Sequence, residues 1–318
     1  MTVLVATSVV RGSRQGESHG GVFLVDFAQG RAAQTLDWNT MNIDWQGRGW
    51  DRGLRGIEFD GEVVYIAASD ELFAYTPDFR LLGSWRNPYL KHCHEISRHE
   101  RTLFVTSTGF DSILGFDLDR KSFSWGLHVS AAGEGFACKL FDPEFGDGPP
   151  PANTLHLNNV HCERGGMHIS GLRTAGMLLF DGREVNRWVS LPEGAHNARP
   201  FRGGVLFNDT AANVVRFASR NGEQVFPVPR FPEASLTHVS DEDAKLARQG
   251  FARGLCVVDA DTIACGSSPS TITLNPLKPG ATPRRATLTH DVRNAIHGLE
   301  VWPFGWTAPE RKTEASTA

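Results

Sequence analysis

A short signature recurs six times along the chain: a polar residue, then a small or polar one, then an aliphatic one that opens an extended run. It reads Arg55-Gly56-Ile57, His94-Glu95-Ile96, Asn158-Asn159-Val160, His196-Asn197-Ala198, Arg253-Gly254-Leu255 and His297-Gly298-Leu299. Successive copies start 39, 64, 38, 57 and 44 residues apart. The short spacings set a period of roughly forty residues, the length of four short strands with their turns and hence of one propeller blade. The two long spacings each hold an insertion. The chain therefore reads as all-β, a six-bladed β-propeller with four-stranded blades whose innermost strands open on the signature.

Three strands precede the first signature, Val3–Ser8, Gly21–Asp26 and Ala33–Trp38, one short of a blade. The run Ala295–Trp302 carries His297 and supplies the fourth strand, closing the ring where an exposed sheet edge would otherwise remain. One domain over residues 1–306 follows, with insertions at 39–50, 131–153 and 230–249 and a disordered tail at 307–318. Residues 131–153 are rich in glycine and proline and read as loop rather than strand. Residues 230–249 contain Ser240-Asp241-Glu242-Asp243, a start signal for one short helix. Every link from an outermost strand to the next innermost one crosses the same face. The insertions should thus gather over the mouth where the signature residues sit, as binding loops on a rigid scaffold do. Trp38, Trp45 and Trp50 are candidates for the roof of that mouth.

Composition narrows the function. A formal charge of −4 and a pI near 6.3 give no basic footprint for nucleic acid. No apolar run approaches the length needed to span a bilayer, and the opening residues lack the basic region of a secretory signal. Five cysteines without CxxC spacing suit free thiols, so the expected compartment is the cytoplasm. The fingerprints of nucleotide-binding loops, serine hydrolases and helical zinc proteases are absent.

The signature itself carries the chemistry. His94, His196 and His297 fall on alternate blades in one register, so three imidazoles converge on the axis in near-threefold array. Three neutral imidazoles from separate strands can form a facial ligand set that leaves positions open for water and substrate. The softness of nitrogen donors favours a divalent transition metal, Fe(II) first, with Cu, Zn or Mn as alternatives. The remaining ring positions, Arg55, Arg253 and Asn158, are candidates to hold a small anionic molecule, since guanidinium groups bind carboxylates in bidentate fashion. Glu95, His92, His156, His161, Asn159 and Asn197 are candidates for a supporting shell or for acid–base work. Each of these groups also has a plain structural alternative, a hydrogen bond to a neighbouring strand.

The period, the strand-turn texture and the closure resemble the six-bladed propeller superfamily that includes gluconolactonase-like and virginiamycin B lyase-like proteins. The histidine-centred ring is similar to that of the carotenoid cleavage oxygenases, propellers that hold iron with four axial histidines. The three-histidine centre, with a face open for O2 and substrate together, and the ring arginines lead to the expectation of a metal-dependent enzyme, an O2-dependent non-heme iron oxidoreductase acting on a small anion. A lyase or hydrolase using the metal as a Lewis acid is the alternative within enzymes. A metal-free propeller that binds a ligand or protein on its upper face is the alternative outside them.

Overall fold

A computed structural model gives the architecture and describes residues 2–39 and 53–308. Blade 1 comprises β1 (Val3–Val10), β2 (Gly21–Asp26) and β3 (Arg31–Asp37). Blade 2 comprises β4 (Ile57–Asp60), β5 (Val63–Ala68), β6 (Glu71–Tyr75) and β7 (Leu81–Arg86). Blade 3 holds β8 (Ile96–His99), β9 (Thr102–Ser107), β10 (Ser112–Asp117), β11 (Ser122–Ala132) and β12 (Gly135–Phe141). Blade 4 is β13 (Leu157–Glu163), β14 (Gly166–Gly171), β15 (Gly176–Phe180) and β16 (Val185–Ser190). Blade 5 is β17 (Ala195–Phe201), β18 (Gly204–Asp209), β19 (Val214–Ser219) and β20 (Gly222–Pro227). Blade 6 is β21 (Leu255–Asp259), β22 (Thr262–Ser267), β23 (Thr271–Pro276) and β24 (Arg284–Thr287). The last strand, β25 (Asn294–Val301), pairs antiparallel with β1 and becomes the innermost strand of blade 1. The six-bladed propeller and its closure by the C-terminal strand are thus as the repeat predicts.

One expected loop is a strand. Residues 131–153 do not leave the blade directly: β11 runs on to Ala132, turns at Gly133 in the left-handed region (φ 58°), and returns as β12, a fifth strand in blade 3. Phe136 and Cys138 alternate on this strand and pack against the core between blades 3 and 4. That alternation is hidden by the glycines and prolines around it. The expected short helix is present as α1 (Asp241–Ala244), where Ser240 and Asp243 form a reciprocal capping box.

Most of the apolar core lies in the six seams between blades rather than on the axis. The largest seam, between blades 1 and 2, gathers Val5, Leu24, Val64, Ile66 and the aromatic group Phe73, Phe79 and Trp302. Trp38 packs edge-on against Phe73 in this seam, so it is core rather than roof. The placements expected of Trp45 and Trp50 lie outside the described residues, as does most of the 39–50 insertion. The chain beyond 306 is packed at least to Ala308, which is buried, while Thr307 Oγ1 donates to the Pro77 carbonyl. The rest of the expected tail lies outside the described residues. All five cysteines are free thiols, and among the described residues no helix is long and apolar enough to cross a membrane.

Candidate functional site

The aliphatic residue of each signature enters a seam core: Ile57, Ile96, Val160, Ala198, Leu255 and Leu299 each belong to one of six separate clusters. The polar residues before them are left to the axis. Inner strands converge tightly at this level, which is why glycine occupies half of the second signature positions. A Cβ on Gly298 would lie 2.3 Å from the Arg55 carbonyl oxygen, and one on Gly56 would lie 2.7 Å from the Ile96 nitrogen. Thr7 Oγ1 staples the same point, donating to the Arg55 carbonyl while accepting from Gly298 N at 2.8 Å.

Five of the six ring residues are buried, from Arg55 and His196 at 1% exposure to His94 at 6%, and Arg253 is half-buried. The three histidines do converge: the His94 ring centroid lies 6.4 Å from that of His196 and 6.0 Å from that of His297. These contacts join blades 3, 5 and 1, which are not neighbours, so they cross the axis. Among the described residues, no three His, Cys, Asp or Glu side chains stand close enough together to hold a metal ion. Burial, reinforced by the charges of Arg55 and Arg253, pushes His94, His196 and His297 well below the ordinary imidazole pKa. All three are therefore neutral near pH 7.

Their hydrogen bonds fix two tautomers. His94 Nδ1 lies 2.8 Å from the His92 carbonyl, which can only accept, and 2.9 Å from Thr108 Oγ1. Thr108 gives its own proton to the Leu157 carbonyl at 2.5 Å. His94 Nδ1 is consequently the N–H, and Nε2 carries the lone pair. His196 is the reverse. Its Nδ1 receives Arg253 Nη1 at 3.3 Å and also the amide of Asn158, so its proton sits on Nε2. His196 Nε2 and His297 Nε2 are buried without a hydrogen-bond partner, as is Asn158 Oδ1.

The other predicted residues divide into two groups. His156 belongs to the mouth: its ring meets His94 edge-on at 5.4 Å, and its Nδ1 lies 3.0 Å from Asn153 Oδ1. Burial first, then Arg253, lowers His156 to a pKa of about 4. His92 serves the ring through its carbonyl. Glu95, Asn197 and His161 lie deeper along the inner strands. Asn197 Nδ2 donates to Glu95 Oε1 at 2.7 Å across the axis, and Asn208 Nδ2 in turn donates to Asn197 Oδ1 at 2.9 Å. Asn159 bonds the Ala198 carbonyl at 2.6 Å, a strand-to-strand tie. Arg55 is partly structural too, with Nη1 donating to the Cys93 carbonyl at 3.0 Å.

Several residues of the site had no sequence signal or went unread. Arg11, Arg248 and Arg253 surround the Phe251 ring, with guanidinium carbons 4.4, 5.2 and 4.7 Å from its centroid. Arg11 also contributes to lowering His196 and His297. Below the ring, Glu58, Arg199 and Glu300 join Glu95 and His161. Arg199 Nη2 reaches Glu300 Oε1 at 3.3 Å and the Leu255 carbonyl at 2.9 Å. Burial raises Glu58 to about 7 and Glu95 to about 8, with Glu300 adding to both shifts. Glu58, Ser97, His161, Arg199, Cys256 and Glu300 each stand three residues past a ring position. This second register was available in the sequence.

Fold and site together define a six-bladed β-propeller with a buried, cationic, histidine-lined axis. No protein-family model matches the chain, and no curated protein matches it. Solved structures do. A propeller in a nidogen–laminin complex aligns with a TM-score of 0.56 at 11% identity, covering 95% of this chain and 98% of that one. A catalytically inactive virginiamycin B lyase from Staphylococcus aureus with quinupristin aligns at 0.48 and 11% identity, covering 86% and 80%. Apo AztD from Citrobacter koseri aligns at 0.48 and 10% identity, covering 95% and 98%. The likeness is one of fold alone.

Proposed function

We propose that the upper axis binds a small anionic organic molecule. The observation that carries this reading is the pair of buried imidazole nitrogens, Nε2 of His196 and of His297, that have no partner within the protein. Buried polar atoms are seldom left so, and a cluster of them on one axis calls for an external group. The sign of that group follows from the arginines. Arg55 and Arg253 act on all three histidines, and Arg11 acts on two of them. In a buried setting this field attracts an anion and repels a cation. The test is titration of the purified protein with small carboxylates, followed by heat release, beside Arg253→Gln. Binding should weaken at least tenfold in the variant. Equal affinity in a folded variant would sink the reading.

A second reading, a metal-dependent enzyme centred on His94, His196 and His297, has one observation in its favour. His94 gives its Nδ1 proton to a carbonyl and points its Nε2 lone pair away, the pattern of a ligating histidine with its supporting shell. His196 does not fit as it stands, because its Nε2 bears the proton. Ligation would require it to surrender Arg253 and Asn158. With Fe(II), or with Cu, Zn or Mn, such a centre would supply O2-dependent oxidation or Lewis-acid chemistry to the same anion. Elemental analysis of the iron-supplemented protein beside the His94→Ala/His196→Ala/His297→Ala variant decides it. Stoichiometric metal lost in a folded variant supports a metal centre, and metal absent from both removes it.

A further inference from the structure

The two fixed tautomers specify more than charge. His196 offers an N–H to the axis, whereas His94 offers a lone pair and makes no hydrogen bond through Nε2. Beside them, Asn158 Oδ1 is a buried acceptor without a donor. A simple carboxylate brings only acceptors. It would satisfy His196 and the guanidinium groups and leave His94 Nε2 and Asn158 Oδ1 facing lone pairs. A ligand that carries a donor close to its anion satisfies them.

The donor can be an O–H or an N–H, and the surroundings choose between them. An ammonium group would place a positive charge among Arg55, Arg253 and Arg11, the same charges that already push the imidazoles down. A hydroxyl donates without that charge. The span sets the size. The His94 and His196 rings are parallel within 10° with centroids only 6.4 Å apart, so a ligand that touches both is small. A donor and an acceptor separated by only one or two carbons suit that span.

We propose that the axial site takes a small hydroxycarboxylate, its carboxylate held by His196 Nε2–H and Arg253 and its hydroxyl donating to His94 Nε2. This rests on the anion reading above and narrows it to a chemical class. The matched series propionate, lactate and alanine tests it, with succinate, malate and aspartate as the dianionic set, each titrated calorimetrically into the full chain. Each hydroxy acid should bind at least tenfold tighter than its unsubstituted partner, and each amino acid no tighter than that partner. In His94→Phe the ratio of hydroxy to unsubstituted acid should fall toward one. Equal binding of lactate with propionate and of malate with succinate overturns the hydroxyl assignment and leaves the anion reading standing. Preference for the amino acids overturns it as well. If no carboxylate in either set binds, the anion reading itself fails and this inference falls with it.

Discussion

The same six inner strands build two unlike layers on one axis. The upper layer holds three imidazoles among arginines, and the lower holds Glu58, Glu95 and Glu300 with Arg199 and His161. Burial drives both toward neutrality, from opposite directions. In the upper layer the imidazoles are pushed down and stay unprotonated. In the lower layer carboxyls are pushed up, Glu58 to about 7 and Glu95 to about 8. What differs is the uncancelled remainder. The guanidinium charges above cannot be neutralised by losing protons, whereas the carboxyls below can be neutralised by gaining them. An axis built this way keeps positive charge at one end and stores protons in the middle.

The layers are held in register where Gly298 passes the Arg55 carbonyl, so the largest predicted effect lies there. Gly298→Ala would put a methyl group 2.3 Å from that oxygen and 2.8 Å from Thr7 Oγ1, both fixed by the staple between blades 1 and 2. Relief requires the β25 and β4 backbones to separate, which should cost about 3 kcal/mol. Urea denaturation would show this as a lower midpoint at unchanged slope. A loss below about 0.5 kcal/mol, the range of a neutral surface change, would mean that the two layers are not locked together at this point.

The upper layer was legible in the sequence and the lower one only in part, for a physical reason. A register of identical function, three histidines at equivalent places, is visible without any knowledge of strand geometry. The lower layer depends on which residues after the signature turn inward. Strict alternation from His196 would send Ala198 to the axis, but β17 is irregular between His196 and Arg199. Similar irregularities occur in β13 at Leu157/Asn159 and in the pairing of β25 with β1. Each shifts the inward face by one residue, so positions one and three past the ring face the axis and position two enters a seam. Glu95 and Asn197 were accessible to reading because they adjoin histidines. Glu58, Arg199 and Glu300 share a register three residues past the ring, but that this register faces the axis depends on a bulge that one strand's sequence does not show. Arg11, Arg248 and Phe251 sit in loops, where no period exists to mark them.

The opposed shifts make the layers separable by pH. A histidine lowered below its unfolded pKa of about 6.5 contributes stability above that value and loses it as pH falls, since only the unfolded chain then takes up the proton. A carboxyl raised from 4.5 to about 8, as in Glu95, behaves in reverse. Its contribution is intact below pH 4.5 and is lost as pH rises toward 8, since only the unfolded chain releases the proton. The upper layer therefore weakens the fold in acid and the lower layer weakens it in mild base. Glu95→Gln keeps an acceptor for Asn197 and abolishes the titration. It should stabilise the protein at pH 8 by about 1 to 2 kcal/mol relative to the parent and have little effect at pH 4.5. Denaturation curves at the two pH values check it. A gain of equal size at both would point to packing and sink the electrostatic account.

The smallest effect isolates one bond between the layers' chemistry and the scaffold. Asn197 Nδ2 donates to Glu95 Oε1, and Asn208 holds the Asn197 amide in that orientation from the opposite side. The donation favours the ionised carboxylate, so it pulls the Glu95 pKa down against the larger effect of burial. Asn197→Ala removes that pull. Glu95 should titrate higher than in the parent, readable from its side-chain carboxyl carbon by NMR. The fold should lose about 1 kcal/mol, the ordinary worth of one hydrogen bond. Because the variant makes ionisation harder, its loss should be larger at pH 8 than at pH 6, opposite to the expectation for Glu95→Gln. The double variant Asn197→Ala/Glu95→Gln should show no such pH dependence. If it does, the proton that Asn197 controls sits on another member of the lower layer, Glu58 or Glu300, and Glu95 is only its neighbour.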